Sequence, residues 1–140
     1  MTTKKKSESS LEMAVNKVLS KVTGLWVSHL ETNIPGFPDT IVVGNRSMFI
    51  EYKIASSDSV LNRVYEPAQL KVHHEISKAG ATVVTATFNR EVPGLITVYQ
   101  SGLMFEKLLE PGPTYRFRDF KCTEFSSAVK FAEWVRSFCA

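Results

Sequence analysis

Residues 38–54 read PDTIVVGNRSMFIEYKI: two apolar runs, Thr40–Val43 and Met48–Ile54, joined by Gly44-Asn45-Arg46-Ser47. Such a pattern is a β-hairpin, with turn-forming residues between two strand-forming runs. Side chains alternate along a strand, so Phe49, Glu51 and Lys53 share one face of the second strand and Ile50, Tyr52 and Ile54 share the other. One face is therefore apolar throughout and the other becomes charged. Asp39 stands where the hairpin opens, on the strand adjoining that of Glu51. Two carboxylates delivered from adjoining strands can share one hard divalent cation, and Lys53 projects from the same face as Glu51. That trio suits phosphodiester hydrolysis. A cation lowers the pKa of a bound water and stabilises charge growing on a phosphate, while an ammonium beside it positions the attacking oxygen.

Upstream, Ser9 with Glu12 three positions later is a capping-box signature, and Leu11, Ala14, Val15, Val18, Leu19 and Val22 follow at helical spacing. This predicts a helix that lays one face on a sheet and ends near Thr23-Gly24. Leu25 to Leu30 has strand composition, and Asn33 to Pro38, with Pro35, Gly36 and Pro38, reads as a loop. Downstream, Ala55 to Tyr65 is polar and reads as a loop, and a second helix follows with Pro67 suited to its first turn and Gly80 to its end. Gln69, Val72, His73 and Ile76 fall on the stripe of that helix that faces the sheet, and a buried amide such as Gln69 needs partners. Ala81 to Thr87 and Leu95 to Tyr99 read as two more strands, and Ala128, Phe131, Ala132, Val135 and Phe138 as an amphipathic terminal helix. The order implies an α/β fold, a mixed central β-sheet flanked by helices in a single domain.

The chain has 140 residues, near the commonest domain size. Its 17 Lys and Arg exceed its 14 Asp and Glu by the three lysines Lys4, Lys5 and Lys6, so the body of the domain is near neutral and the charge alone does not point to nucleic acid. Residues 1–8 read as a disordered basic tail and 9–140 as the domain. No run reaches the roughly 18 apolar residues of a membrane-spanning helix, and the polar start is no signal peptide, so no membrane association is expected and a cytoplasmic location is the default. Cys122 and Cys139 are too few and too far apart to suggest a zinc ribbon or a disulfide framework, and read as free thiols.

Pro35-Gly36-Phe37-Pro38-Asp39-Thr40-Ile41, then Phe49-Ile50-Glu51-Tyr52-Lys53, then Gln69 on a helix and Gly80-Ala81-Thr82-Val83-Val84 beyond it resemble the PD-(D/E)xK nuclease superfamily. Within it the match is to the VRR-NUC type, similar in size and layout to small phage and archaeal Holliday-junction resolvases. The likeness runs from about Pro35 to Thr87. It implies a restriction-endonuclease-like fold and a Mg²⁺- or Mn²⁺-dependent endonuclease acting on DNA, with branched or junction DNA as substrate. It also implies a homodimer and a cytoplasmic location, in a host cell if the chain is phage-encoded. Carried over residue by residue, it implies that Asp39, Glu51 and the main-chain carbonyl of Tyr52 hold the cation. Lys53 would orient or activate the water, Gln69 would support water or lysine, and Glu12 would add a carboxylate from the first helix. Lys4, Lys5, Lys6, Arg46, Arg63 and Lys71 are candidate phosphate contacts.

Each residue has a plainer role to set against this. Asp39 after a proline can close a turn, and Glu51 with Lys53 can be an ordinary surface pair. The apolar run on both sides of Glu51 argues for an interior strand, where an unpaired charge is costly. Glu12 is also fully explained as the capping-box residue, and His73 and His74 read as surface histidines. Other readings of the same chain are a single-strand, flap or nicking nuclease with the same site, and a nucleic-acid-binding or assembly module of the same fold without turnover.

Overall fold

A computed structural model of the chain describes residues 6–31, 33–89, 91–108 and 114–140, with Lys6, Ser7 and Leu103 described by backbone alone. Helix α1 (Lys6–Leu19) precedes β1 (Trp26–His29), β2 (Thr40–Val43) and β3 (Ser47–Ile54). A short α2 (Leu61–Val64) and α3 (Pro67–Lys78) lead to β4 (Thr82–Phe88) and β5 (Ile96–Tyr99). After them come α4 (Ser101–Leu108), a 3-10 turn (Phe117–Asp119), β6 (Thr123–Phe125) and α5 (Ala128–Cys139). The six strands form one sheet in chain order, antiparallel throughout except for the β3–β4 pair. A parallel pair needs a crossover, and residues 55–81, carrying α2 and α3, supply it.

Strand alternation divides the sheet into two unlike faces. Val42, Met48, Ile50, Tyr52, Val84, Ala86, Ile96 and Val98 point to one side, where Leu11, Val15 and Leu19 of α1 and Phe131, Ala132, Val135 and Cys139 of α5 complete a continuous apolar core. The opposite face carries Phe49, Glu51 and Lys53 of β3 beside Val83, Thr85 and Thr87 of β4, their partners in the parallel register. A second core, of Ala55, Leu61, Tyr65, Tyr99, Met104, Phe105 and Phe117, packs here under the crossover and α4.

The hairpin, α3 and the strands fall where the sequence places them. Helix α1 ends at Leu19 rather than near Thr23-Gly24, and the 55–65 stretch that reads as a loop holds α2. Two further expectations are corrected. Residues 6–8 are already helical, so Ser9 and Glu12 lie inside α1 and form no capping box; of the tail expected over 1–8, residues 1–5 lie outside the described residues. Glu8 in the first turn favours this longer helix, because a carboxylate there meets the positive end of the helix dipole and its side chain also accepts a hydrogen bond from the Ile54 N–H at 3.4 Å. Second, His73 is fully buried rather than on the surface, as its place on the inward stripe of α3 requires. No helix or strand was expected over residues 100–127, which hold α4, the 3-10 turn and β6. Among the described residues no helix is long and apolar enough to cross a membrane.

Candidate active site

The candidate site lies where β2 stops short of β3. Their antiparallel register ends at Thr40↔Ile50, so the β3 backbone beyond Ile50 has no strand partner on that side. Side chains take over: Asp39 Oδ2 accepts the Tyr52 N–H at 2.9 Å, and Glu8 accepts that of Ile54. Two carboxylates thus line the open edge of the strand that bears Glu51 and Lys53. Glycine fixes the approach of the Asp39 loop. Gly36 has φ +85°, and a Cβ there would sit 2.2 Å from the Ala68 carbonyl oxygen, so only glycine lets residues 33–38 lie against the first turn of α3. Phe37 then packs edge-on against Phe49, ring centroids 5.9 Å apart.

On the α3 side, Gln69 answers the question its buried stripe raised. Its Oε1 accepts from Lys53 Nζ at 3.1 Å and from the Glu66 N–H at 3.0 Å, while its Nε2 donates to Glu51 Oε2 at 3.2 Å. One amide therefore caps α3 and ties together the acid and the base of β3. Lys53 Nζ lies 3.6 Å from Glu51 Oε2, with side chains 15% and 4% exposed. A carboxylate that buried is stable only with a compensating charge and hydrogen bonds. On its other side is His73, Nε2 3.8 Å from Glu51 Oε1. Burial, and secondarily Lys53, push the His73 pKa down to about 3, so its ring is neutral. Tyr52, pointing to the apolar face, has its pKa raised well above the usual tyrosine value by burial and then by Glu12 and Asp39.

Glu12 stands apart from Glu51. It is buried, accepts a hydrogen bond from the Thr40 hydroxyl, and pairs with His29 Nδ1 at 2.7 Å. Thr40 is the cross-strand partner of Ile50, so this cluster lies on the α1 face, opposite to Glu51. Arg46 is also remote. It sits in the β2–β3 turn, at the far end of the hairpin from Asp39, with Nε bonded to the Phe138 carbonyl at 2.9 Å and its guanidinium 4.2 Å from the Phe138 ring centroid. Arg63 and Lys71 are exposed, on α2 and α3. Lys4, Lys5 and the side chain of Lys6 lie outside the described residues.

Pattern reading passed over Glu8, at the open edge of β3, and two arginines beyond the end of that strand. Glu8 was assigned to the tail, yet it is four positions before Glu12 and extends the same helix. Arg116 and Arg118 both engage Asp58, in the loop that leaves β3, while the Leu61, Phe117 and Arg118 amides zip residues 115–118 onto residues 57–61.

The donor set fits a small hard cation: two carboxylates and a main-chain carbonyl, all oxygen, beside an ammonium. Among the described residues no group of three or more His, Cys, Asp or Glu side chains is arranged to hold a metal ion. An ion held by one or two carboxylates, with waters and substrate phosphate completing its shell, is the pattern that magnesium takes.

No protein-family model matches the chain, and no curated protein matches its sequence. Among solved structures, the chain is similar to Hjc, a Holliday junction resolvase of the archaeal hyperthermophile Archaeoglobus fulgidus, with a TM-score of 0.48, 15% identity, and coverage of 91% of this chain and 95% of that one.

Proposed function

We propose that this protein is a Mg²⁺- or Mn²⁺-dependent endonuclease that hydrolyses DNA phosphodiester bonds, with branched or junction DNA as substrate. One observation carries the reading: Glu51 and Lys53 sit together in the sheet interior, joined through Gln69, at the point where Asp39 closes the open edge of the same strand. Burying an acid and an amine has no advantage for folding over an apolar pair of the same size, so the arrangement answers to chemistry. Asp39, Glu51 and the Tyr52 carbonyl would hold the cation. When bound, it would supply a water of lowered pKa and charge stabilisation on the phosphate.

The protein's own part is orientation. Gln69 holds the Lys53 ammonium beside Glu51, and from there Lys53 positions an attacking oxygen and offsets charge growing on the phosphate. A branched substrate is distinguished by its shape, so recognition in this reading rests on backbone contacts and DNA geometry. A homodimer would bring two such sites to two strands. Glu12, facing Thr40 and His29, enters this reading as a support for the strand that carries Asp39 rather than as a cation ligand.

The test is a substrate panel of four-way junction, flap, single-stranded and linear duplex DNA with Mg²⁺, Mn²⁺ or EDTA. Metal-dependent cleavage of the junction is expected, and Asp39→Asn should reduce it on the order of 10²–10³-fold. Tight binding with no cleavage under any metal would overturn the enzyme in favour of a binding module. Sedimentation of the same protein checks the dimer.

A further inference from the structure

His73 is the one histidine of three that is fully buried, and it lies on the same helix stripe as Gln69, one turn further on. Its ring is held from several sides. Phe105 lies 5.2 Å and Tyr65 6.3 Å away between ring centroids, and Ser101 Oγ is 3.5 Å from Nδ1. Ser101 opens α4 and is itself fully buried. The contact depends on an unusually close approach of α4 to α3. A Cβ on Gly102 would meet the Ser77 side chain at 2.3 Å, so glycine at 102 is what allows the two helices to come this near. The fold therefore brings a hydroxyl to one ring nitrogen of a buried histidine and a carboxylate oxygen to the other. Nε2 makes no hydrogen bond to the described residues, and the polar atom it faces is Glu51 Oε1 at 3.8 Å.

We propose that His73 is a positioning residue for Glu51: Ser101 donates to Nδ1, and Nε2–H is directed at Glu51 Oε1, while Gln69 holds Oε2. The inference rests on the reading of Glu51 as a cation ligand. A neutral imidazole carries one N–H; the Ser101 hydroxyl can serve either form of Nδ1, whereas the carboxylate facing Nε2 only accepts and so favours the Nε2–H tautomer. Two donors on opposite oxygens then fix the plane of the carboxylate, as outer partners of a ligand do. The 3.8 Å separation is longer than a hydrogen bond. Contacts of this kind are often loose before substrate and cation bind and tighten in the loaded site. His73 touches neither substrate nor water in this scheme, so its effect passes entirely through Glu51.

Two measurements on the full chain decide it. The first is the tautomer of His73 in the metal-free protein, read from ¹⁵N NMR of the ring nitrogens and assigned by the signals lost in His73→Gln. The Nε2–H form is expected; a ring protonated on Nδ1 overturns the proposal. The second is Mn²⁺ affinity by calorimetry for the wild type, His73→Gln and His73→Leu. Leucine should weaken binding about 10–100-fold, the range for loss of an outer partner. Glutamine, whose amide restores a donor, should stay within about 3-fold of the wild type. Leucine binding Mn²⁺ as well as the wild type overturns the proposal, and if leucine does not fold, glutamine weakened as far as about 10-fold does so instead. A wild type that binds no Mn²⁺ breaks the reading of the site, and the tautomer still decides what His73 does.

Discussion

The two faces of the sheet are built from the same strands and solve opposite problems. Under α1 and α5, Ile50, Tyr52, Val84, Ala86, Ile96 and Val98 share a continuous apolar core, with the Glu12, Thr40 and His29 cluster on the same face. Under α3 and α4, the next residues along, Glu51, Lys53, Thr85 and Thr87, carry polar groups into an environment where each needs a partner. The larger apolar core therefore lies on the first face, and the buried acid and amine lie on the second, beside a smaller core. A site made of buried charges is a local liability, and a thick apolar layer one residue away offsets it.

The largest effect that would break this division is on the apolar side. Phe131→Ala removes a fully buried ring from the α1–α5 core and should destabilise the fold by about 3–5 kcal/mol, measured by urea unfolding. Mn²⁺ affinity of the folded protein should not change. A shift in that affinity would mean that the two faces are coupled.

The next effect sharpens the account of the polar side. Lys53→Met leaves Glu51 buried without its cation and should cost about 3 kcal/mol, whereas Lys53→Met combined with Glu51→Gln should recover most of that loss. Cleavage stays lost in both. If the double variant is no more stable than the single one, Lys53 contributes by packing and not by charge.

The smallest effect is a pH slope. His73 has its pKa lowered to about 3 by burial, so the unfolded chain binds a proton near pH 6.5 that the folded chain refuses. Stability from the neutral ring is fully present above pH 6.5 and is lost progressively as pH falls toward 3. Between pH 7 and pH 5 the loss is about 2 kcal/mol, and His73→Gln should remove that part of the slope in urea titrations at the two pH values. An unchanged slope in the variant would place the titration elsewhere.

The hairpin, α3 from Pro67 and the terminal helix were legible because each advertises itself within its own segment, by alternation of two or by a stripe at 3.6. Glu51 and Lys53 could be placed on one face from that alternation alone. The start of α1 was not legible. A serine-glutamate pair imitates a cap anywhere in a helix, and the lysines before it disguised a first turn whose reason to form, the Glu8 contact with Ile54, lies far away in sequence. The His73 environment was missed for a similar cause: its stripe was visible, but Ser101 and Phe105 belong to a helix with no expectation attached to it.

By itself the sequence determined the strands, the main helices and the face each side chain takes, since these follow from local backbone geometry and the burial of apolar stripes. The tertiary structure alone decided which of two acids on α1 reaches the open edge of β3, that Arg46 lies against the last helix rather than beside Asp39, and that Gln69 and His73 bracket one carboxylate. The physical reason is range. Periodicity constrains the direction of a side chain, but its partner is set by where distant segments come to rest, and in this fold the close contacts at Gly36 and Gly102 set those distances.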